Sequence, residues 1–233
     1  MERREPADGG LPTPASVLAV CAHPDDESFG LGAVLSAFAD GGVRTSVLCL
    51  THGEASTLGV DAGDLHRVRG EELGEAAETL GVGEVRLLDF ADGRVAEEPL
   101  TRLSAQVRDA MDEVGADLLL VFDEGGVTGH PDHVRATDAA LAAAGHGSVP
   151  VLAWTLHSQV ADRLRDEFAA GFVGRPDAEI HVSIEVDRSR QHRAIRCHGS
   201  QSGDNPVLWR RLELQGDREH LRWLELPDAP SGT

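Results

Sequence analysis

A His-Pro-Asp core occurs twice in this chain, in residues 23–27 (HPDDE) and again in residues 130–133 (HPDH). Each core follows an apolar run and places imidazole nitrogen and carboxylate oxygen on a tight turn. These are the donor atoms of mixed nitrogen and oxygen metal sites, which can keep one position open for chemistry. The two segments therefore predict a metallohydrolase.

The alternative is that both segments are ordinary turns. A Pro-Asp step after a strand is common in turns and helix caps, where a neighbouring His can simply satisfy backbone groups. The spacing favours metal binding, because His23 and Asp26 are three residues apart, and so are His130 and His133. Where the chain turns into a helix, both members of such a pair can face one point. Since the arrangement occurs in both halves of the chain, chance recurrence is the weaker interpretation.

The elements that would position these segments alternate between strands and helices. Apolar runs predict strands over residues 17–21, 43–50, 85–88, 117–122 and 149–155. The segments between them predict helices over residues 30–41, 64–80, 99–114 and 131–144. This order predicts an α/β fold, a Rossmann-like three-layer sandwich with a mostly parallel sheet. Such folds place their sites at the carboxyl ends of strands, where both His-Pro-Asp segments are expected.

Beyond residue 156 the pattern weakens. It predicts a strand over residues 180–186, a helix over 188–197 and an extended run over 221–226, which together would form a small C-terminal closing subdomain. The predicted organisation is a flexible N-terminal arm (1–14), a single catalytic domain (15–226) and a C-terminal tail (227–233).

Composition limits the classes of partner. The chain has 233 residues, of which 41% are hydrophobic, enough for one buried core. Its formal net charge of −19 disfavours nucleic acid and anionic membrane surfaces and would attract cationic substrates, although solubility alone also explains such a charge. All 21 basic residues are Arg, which excludes a Schiff-base lysine and a P-loop lysine.

The cysteines and the N-terminal residues indicate the compartment. Cys21, Cys49 and Cys197 form no CxxC pair, which fits a reducing environment. The first residues contain no apolar stretch that could serve as a signal peptide, and no window resembles a membrane span. We therefore expect a cytoplasmic protein, and the sequence leaves a homo-oligomer open.

The paired segments resemble the PIG-L/LmbE family of zinc-dependent N-deacetylases. The resemblance rests on residues 22–27 and 129–133, and it covers approximately residues 16–155. Between the two segments, an Arg69-x-x-Glu72 pair, the helix end at residues 80–82 and an Asp92-Gly93 turn follow in the family's order. The family hydrolyses N-acetyl groups of amino sugars. The resemblance thus implies a small-molecule N-acetylated substrate.

By this resemblance, His23, Asp26 and His133 hold one Zn²⁺ per chain, and other divalent ions are chemically acceptable. Three protein ligands leave a position for water and substrate, which distinguishes a catalytic zinc from a structural one. The resemblance assigns Asp25 as the general base, which would take a proton from the attacking water. The alternative for Asp25 is a helix N-cap.

Two residues of the second segment have implied roles beside the metal. His130, as an imidazolium, would stabilise the tetrahedral intermediate or protonate the leaving amine. Asp132 would orient one of the histidines, or merely cap the following helix.

The resemblance places Glu54, Arg69 and Asp92 against sugar hydroxyls, although each could also be a solvated surface charge. Thr128 stands where family members often carry Tyr, in a chain without any Tyr. Because its hydroxyl is too short to donate across the same gap, either His130 acts alone or the substrate is held differently.

Two other functions compete with sugar deacetylation. One is an amidase with the same site chemistry that acts on another N-acyl compound, such as a thiol S-conjugate. The other is a Rossmann-like binding module whose metal holds a ligand without turnover. The presence of both Asp25 and His130 argues against the binding module, because a pure binding protein needs neither a base nor an acid.

Overall fold

A computed structural model describes residues 10–59, 63–147 and 149–226. Most of the predicted N-terminal arm and all of the predicted tail lie outside the described residues. The strands are β1 (Ser16–Cys21), β2 (Arg44–Thr51), β3 (Glu84–Phe90), β4 (Leu118–Phe122), β5 (Val151–His157), β6 (Gly174–Arg175), β7 (Val182–Glu185) and β8 (Arg218–Leu224). The helices are α1 (Asp26–Phe29), α2 (Gly32–Asp40), α3 (Leu65–Leu80), α4 (Leu100–Val114), α5 (Pro131–Gly147), α6 (Ser158–Phe168), α7 (Ser189–Cys197), α8 (Gly199–Ser202) and α9 (Pro206–Gln215).

The described strands form one sheet in the order β3-β2-β1-β4-β5-β8-β7, with β6 paired to β5. Strands β1 to β5 run parallel, and β8 is antiparallel to both β5 and β7. The predicted α/β fold with a mostly parallel sheet is confirmed. The C-terminal segment completes this sheet with β7 and β8.

Helices cover both faces of the sheet, which explains why its central strands are apolar throughout. In β1, Val17, Ala19 and Cys21 belong to one core, which also contains buried residues of α2, α3, α6 and α7. The alternate residues Leu18 and Val20 belong to a second core with α4 and α5. The period of two in a strand assigns neighbouring side chains to opposite layers.

Four described helices were not predicted: the short helices α1 and α8 and the longer helices α6 and α9. Helix α6 has apolar residues at helical spacing, Val160, Ala161 and Leu164, inside a strongly charged segment. Helix α9 begins at Asn205-Pro206, where the Asn205 side chain accepts a hydrogen bond from the Leu208 N–H. An N-cap followed by Pro at the first helical position is a recognised start signal, so this helix was detectable from the sequence.

Strand β8 begins at residue 218, three residues before the predicted extended run. Its early residues are charged or polar, because Glu219 and other side chains of this strand take part in buried ion pairs and hydrogen bonds. Hydrophobic patterning alone cannot detect a strand of this kind. In the described part of the chain, no helix is both long and apolar enough to cross a membrane.

Candidate metal centre

Three side chains converge where the chain leaves β1 and enters α5. His23 Nδ1 lies 3.1 Å from His133 Nε2, which lies 3.2 Å from Asp26 Oδ1. The distance from His23 Nδ1 to Asp26 Oδ2 is 3.9 Å. Ligands placed about 2.0 to 2.1 Å from a tetrahedral ion are about 3.3 Å from one another. The two distances from His133 match this spacing, and the distance from His23 to the other Asp26 oxygen is longer, so the three donor groups lie around one point, with His133 between the other two.

The outward nitrogens of both rings determine which tautomers are present. His23 Nε2 faces Asp92 Oδ1 at 3.0 Å and Asp132 Oδ2 at 3.4 Å. His133 Nδ1 faces the Gly126 carbonyl at 3.2 Å. Since these oxygens only accept, the outward nitrogens carry the protons, and the inward nitrogens of neutral rings present lone pairs to each other. Facing lone pairs beside a carboxylate require a cation, either a proton or a metal ion.

The charges around this point stabilise positive charge. Burial disfavours a charged His23, but hydrogen bonds to Asp132 and Asp92 raise its pKa to about 10. Burial would raise the pKa of Asp26, but the adjacent His133 and His23 hold it below its ordinary value. A buried carboxylate that stays ionised among imidazoles is a suitable ligand environment for a divalent cation.

Asp25 is held in a left-handed backbone conformation, with φ of 113°. Its N–H donates to Glu27 Oε2 at 2.9 Å, and its Oδ2 accepts from Arg69 Nη2 at 2.8 Å. Burial raises the pKa of Asp25 to about 6, while Arg69 opposes this rise. A positive φ is costly for a residue with a Cβ, so the surrounding contacts must hold Asp25 in place.

Glu27 and His198 form a buried pair behind Asp25. His198 Nε2 lies 2.6 Å from Glu27 Oε1, and both side chains are fully buried. Because the other Glu27 oxygen accepts from the Asp25 N–H, this pair supports the backbone that carries Asp25. Burial opposes a charged His198, but the Glu27 carboxylate raises its pKa overall.

We expect His198→Ala to lower the free energy of unfolding by about 3 to 5 kcal/mol, because it leaves the buried Glu27 carboxylate without its charged partner. Urea denaturation at neutral pH measures this loss. The control is His192→Ala, which removes a partly exposed ring that meets the Trp209 ring edge-on. The pKa of His198 is raised in the folded state. The stabilisation from its charge is therefore present at low pH and is lost as the pH rises through this raised folded-state pKa. Equal losses in the two variants would contradict the assigned importance of the buried pair.

His130 lies beside the three converging side chains. Its ring centroid is 4.9 Å from that of His23, and its ring nitrogen lies within 4.8 Å of nitrogens of His23 and His133. The Asp132 N–H donates to His130 Nδ1 at 3.2 Å, so this nitrogen is unprotonated and the proton is on Nε2. Burial and the two neighbouring histidines lower the pKa of His130. The expectation of an imidazolium is therefore corrected to a neutral ring with an Nε2–H donor.

Arg69, one of the expected sugar-binding residues, is buried behind the converging side chains. Arg69 is 3% exposed and donates to Asp25 and to the carbonyls of Pro24 and Gly53. Its guanidinium thus lies behind Asp25 and is engaged by protein atoms. This corrects the expectation that Arg69 contacts sugar hydroxyls.

The two expected carboxylates are also engaged. Asp92 faces His23 Nε2 and accepts from the Ala55 N–H at 2.9 Å. Glu54 is exposed and accepts from the Asp92 N–H at 3.0 Å. Asp132 is fully buried, and it accepts from the Gly93 N–H at 2.8 Å while facing His23. Asp132 and Asp92 therefore both face His23 Nε2.

A cavity of about 260 Å³ opens beside the converging side chains. Its polar wall includes Asp25, Asp26, Thr128 and His133. Most of the remaining wall is apolar and aromatic, with contributions from Phe29, Phe122, Val127, Trp154, Phe172, Val207 and Leu208. The pocket is thus of the mostly apolar kind that small ligands occupy.

Two polar residues of this wall, Asn205 and Arg211, were missed by the sequence analysis. Asn205 caps the start of α9, and Arg211 lies inside this helix, which was not predicted. Arg211 is 4% exposed, donates to the Phe29 carbonyl and lies 5.2 Å above the Trp154 ring. In the sequence, Arg211 could be noticed only as a charged residue between the apolar residues Leu208 and Leu212, on a helix face whose pattern otherwise predicts burial in the core.

The chain matches the family model PIG-L, described as GlcNAc-PI de-N-acetylase, over residues 18–144, more than half of its length. It is 33% identical to a 1D-myo-inositol 2-acetamido-2-deoxy-alpha-D-glucopyranoside deacetylase of Saccharomonospora viridis, over 79% of this chain and 84% of that protein. It is 28% identical to a probable N-acetyl-alpha-D-glucosaminyl L-malate deacetylase 2 of Bacillus anthracis, over 90% and 91% of the two chains.

Solved structures share the fold. A zinc-inhibited form of the teicoplanin deacetylase Orf2 has a TM-score of 0.70 at 22% identity, covering 91% of this chain and 99% of that one. GalB, the 4-carboxy-2-hydroxymuconate hydratase from Pseudomonas putida KT2440, has a TM-score of 0.69 at 19% identity, covering 94% and 99%. Because these two neighbours carry names for different reactions, the likeness shows the fold alone.

Proposed function

Since the chain belongs to the PIG-L family, we propose that it is a metal-dependent hydrolase that removes the N-acetyl group of an amino sugar. The observation that carries this proposal is the convergence of His23, Asp26 and His133 next to a cavity. Asp26 and His133 line that cavity together with Asp25. The two relatives are named as deacetylases of conjugates that differ in their second part, inositol or malate. What they share is N-acetylglucosamine, which supports an amino sugar as the recognised group.

His23, Asp26 and His133 would hold one divalent ion through two imidazole nitrogens and a carboxylate. Zn²⁺ fits this donor set, and other divalent ions that accept imidazole and carboxylate are chemically acceptable. When bound, such an ion polarises the amide carbonyl and lowers the pKa of water to about 7. Asp92, Asp132 and the Gly126 carbonyl would hold the two ligand rings in their orientation.

Asp25 would act as the general base and then as the proton carrier. Its carboxylate lines the cavity, and Arg69 and the N–H contact to Glu27 hold it there. It would take a proton from the attacking water and deliver it to the departing amine nitrogen. The products are acetate and the free amino sugar.

His130 would stabilise the oxyanion as a neutral donor. Its Nδ1 accepts from the Asp132 N–H, so Nε2–H is available to donate to the amide oxygen as negative charge develops there. Thr128 stays near the site, with its hydroxyl 3.5 Å from His133 Nδ1. We propose that His130 acts without a tyrosine partner and that Thr128 contributes to the substrate wall.

Amine release tests the proposed reaction. The purified protein should release a primary amine from N-acetylglucosamine glycosides, lose this activity after chelation and dialysis, and regain it when Zn²⁺ is added. Acetate should appear in equal amount. A metal-loaded, folded protein that releases no amine from any glycoside would contradict the proposal.

The aromatic wall of the cavity favours one alternative substrate class, an N-acyl compound with an apolar group. An acetamide methyl group occupies little of a wall that contains Phe29, Phe122, Trp154 and Phe172. In the same assay, an N-acetylated thiol S-conjugate with an aromatic substituent tests this alternative. Faster hydrolysis of that conjugate than of every glycoside would identify the protein as an amidase of such compounds.

We expect Arg69→Ala to lower kcat on the order of 10²-fold, because Asp25 loses the contact that aims its carboxylate. KM should change little, since Arg69 lies behind Asp25 and away from the cavity. The matched control is Arg67→Ala on the same helix, whose exposed guanidinium pairs with the exposed Glu71. The control should keep the wild-type kcat. An Arg69→Ala protein with raised KM and normal kcat would show instead that Arg69 binds substrate.

A further inference from the structure

A second group of metal-type donors lies outside the candidate centre, at the carboxyl ends of β2 and β3. His52 directly follows β2, His66 is in the first turn of α3, and Asp89 is near the end of β3. Asp89 Oδ1 lies 3.1 Å from His52 Nε2 and 3.5 Å from His66 Nε2. The three donor atoms lie within 4.8 Å of one another. The two distances from Asp89 are close to the distance of about 3.3 Å between ligands of a tetrahedral ion.

The hydrogen bonding of His52 leaves a lone pair facing the carboxylate. His52 Nδ1 is 2.9 Å from the His66 carbonyl oxygen, which can only accept, so Nδ1 carries a proton. In a neutral ring, Nε2 is then unprotonated and faces Asp89 Oδ1, another electron-pair donor. The contact is repulsive unless a cation, either a proton or a metal ion, lies between the two atoms.

His157 provides an internal comparison. Its Nε2 also lies 3.1 Å from a carboxylate oxygen, of Asp177. However, His157 Nδ1 accepts from the Gln159 N–H, so a neutral His157 carries its proton on Nε2 and donates it to Asp177. That pair needs no additional cation. The same distance is therefore an ordinary hydrogen bond at His157, whereas at His52 it requires a cation between the two atoms.

The second imidazole distinguishes a metal site from a simple ion pair. The rings of His52 and His66 are stacked, with centroids 3.5 Å apart and planes at 10°, and both Nε2 atoms face the same carboxylate oxygen. Two imidazolium ions in this arrangement would repel each other, whereas one divalent ion can satisfy both nitrogens and the carboxylate. Ion binding requires the ring planes to open, and the His66 side chain, 52% exposed, has room to rotate.

We propose that His52, His66 and Asp89 form a second binding site for a divalent transition-metal ion of the Zn²⁺, Ni²⁺ or Cu²⁺ class. Imidazole and carboxylate donors suit these ions, whereas Mg²⁺ and Ca²⁺ require mainly oxygen ligands. The ion would tie the segment after β2 to α3. That segment includes Gly53, whose carbonyl accepts from Arg69, so binding at this site would also stiffen the support of Asp25.

Metal titration of wild-type protein and of His66→Ala tests this site. We expect wild-type protein to bind one more equivalent of Zn²⁺ than His66→Ala by calorimetry, or to bind that equivalent at least about tenfold more tightly. Ni²⁺ should compete for the additional equivalent, and excess Mg²⁺ should not. His157→Ala is the matched control and should retain the wild-type isotherm.

A second variant, Asp89→Asn, removes the carboxylate charge at a side chain that is 83% exposed and should reproduce the loss in a folded protein. Identical Zn²⁺ isotherms for wild type, His66→Ala and Asp89→Asn would overturn the proposal. Displacement of the additional equivalent by Mg²⁺ would also overturn it. The readout is metal stoichiometry, so a failure to find deacetylase activity would leave this result unaffected.

Discussion

Replacing His133 with alanine is expected to remove one equivalent of bound divalent metal and to bring amine release down to the level of metal-free protein. His133 Nε2 is 3.1 Å from His23 Nδ1 and 3.2 Å from Asp26 Oδ1, so its loss leaves only two donors at the point where three converge. The fall in metal affinity should exceed the roughly 10-fold to 100-fold cost of losing an outer hydrogen-bond partner of a ligand. Elemental analysis after dialysis measures the metal content, and circular dichroism verifies folding.

Asp132→Asn provides the graded control for this experiment. It keeps the size of a fully buried side chain that faces His23 but removes its charge, so the metal should bind more weakly without being lost. Metal content should therefore decrease from wild type to Asp132→Asn to His133→Ala. If His133→Ala retains the full metal content of the wild type, His133 is not a ligand.

Asp25→Asn is expected to keep the bound metal while turnover falls by about 10²-fold to 10⁴-fold, the loss typical of a missing general base. Asparagine tolerates the positive φ of this position better than most residues, so the backbone should be preserved. The amide can still accept from Arg69 through its oxygen, but it cannot take a proton from water. Initial rates and metal content are measured on the same preparation.

Asp25→Ala is the second variant at this position, because it removes the side chain together with its contact to Arg69. Both variants should lose turnover to a similar extent if proton transfer is the function of this carboxylate. A near-normal rate in either metal-loaded variant would refute the assignment of Asp25 as the base. A large loss in Asp25→Ala with normal turnover in Asp25→Asn would show that Asp25 acts only by position.

The core of the fold and the family could be predicted from the sequence. Apolar runs alternating with capped helical segments predicted the parallel strands and their helices, and both His-Pro-Asp segments were expected at strand ends. Those expectations are confirmed in the sheet order and in the PIG-L family match. They succeeded because burial on both faces of a sheet leaves a strong local pattern. The helices and strands of the C-terminal part were predicted less completely, because α6 and β8 are rich in charged residues.

The sequence by itself supplied the candidate donors, the imidazoles and carboxylates of the two His-Pro-Asp segments, and the family resemblance selected His23, Asp26 and His133 among them. Tertiary structure alone decided which side chains contact each of these groups. It placed Asp92 and Asp132 on His23, Arg69 on Asp25 and Arg211 on the cavity wall. The reason is that β1 lies between β2 and β4, which brings together loops that are far apart in the chain. Local spacing reports neighbours within a turn of helix, whereas such long-range contacts follow from the order of strands in the sheet.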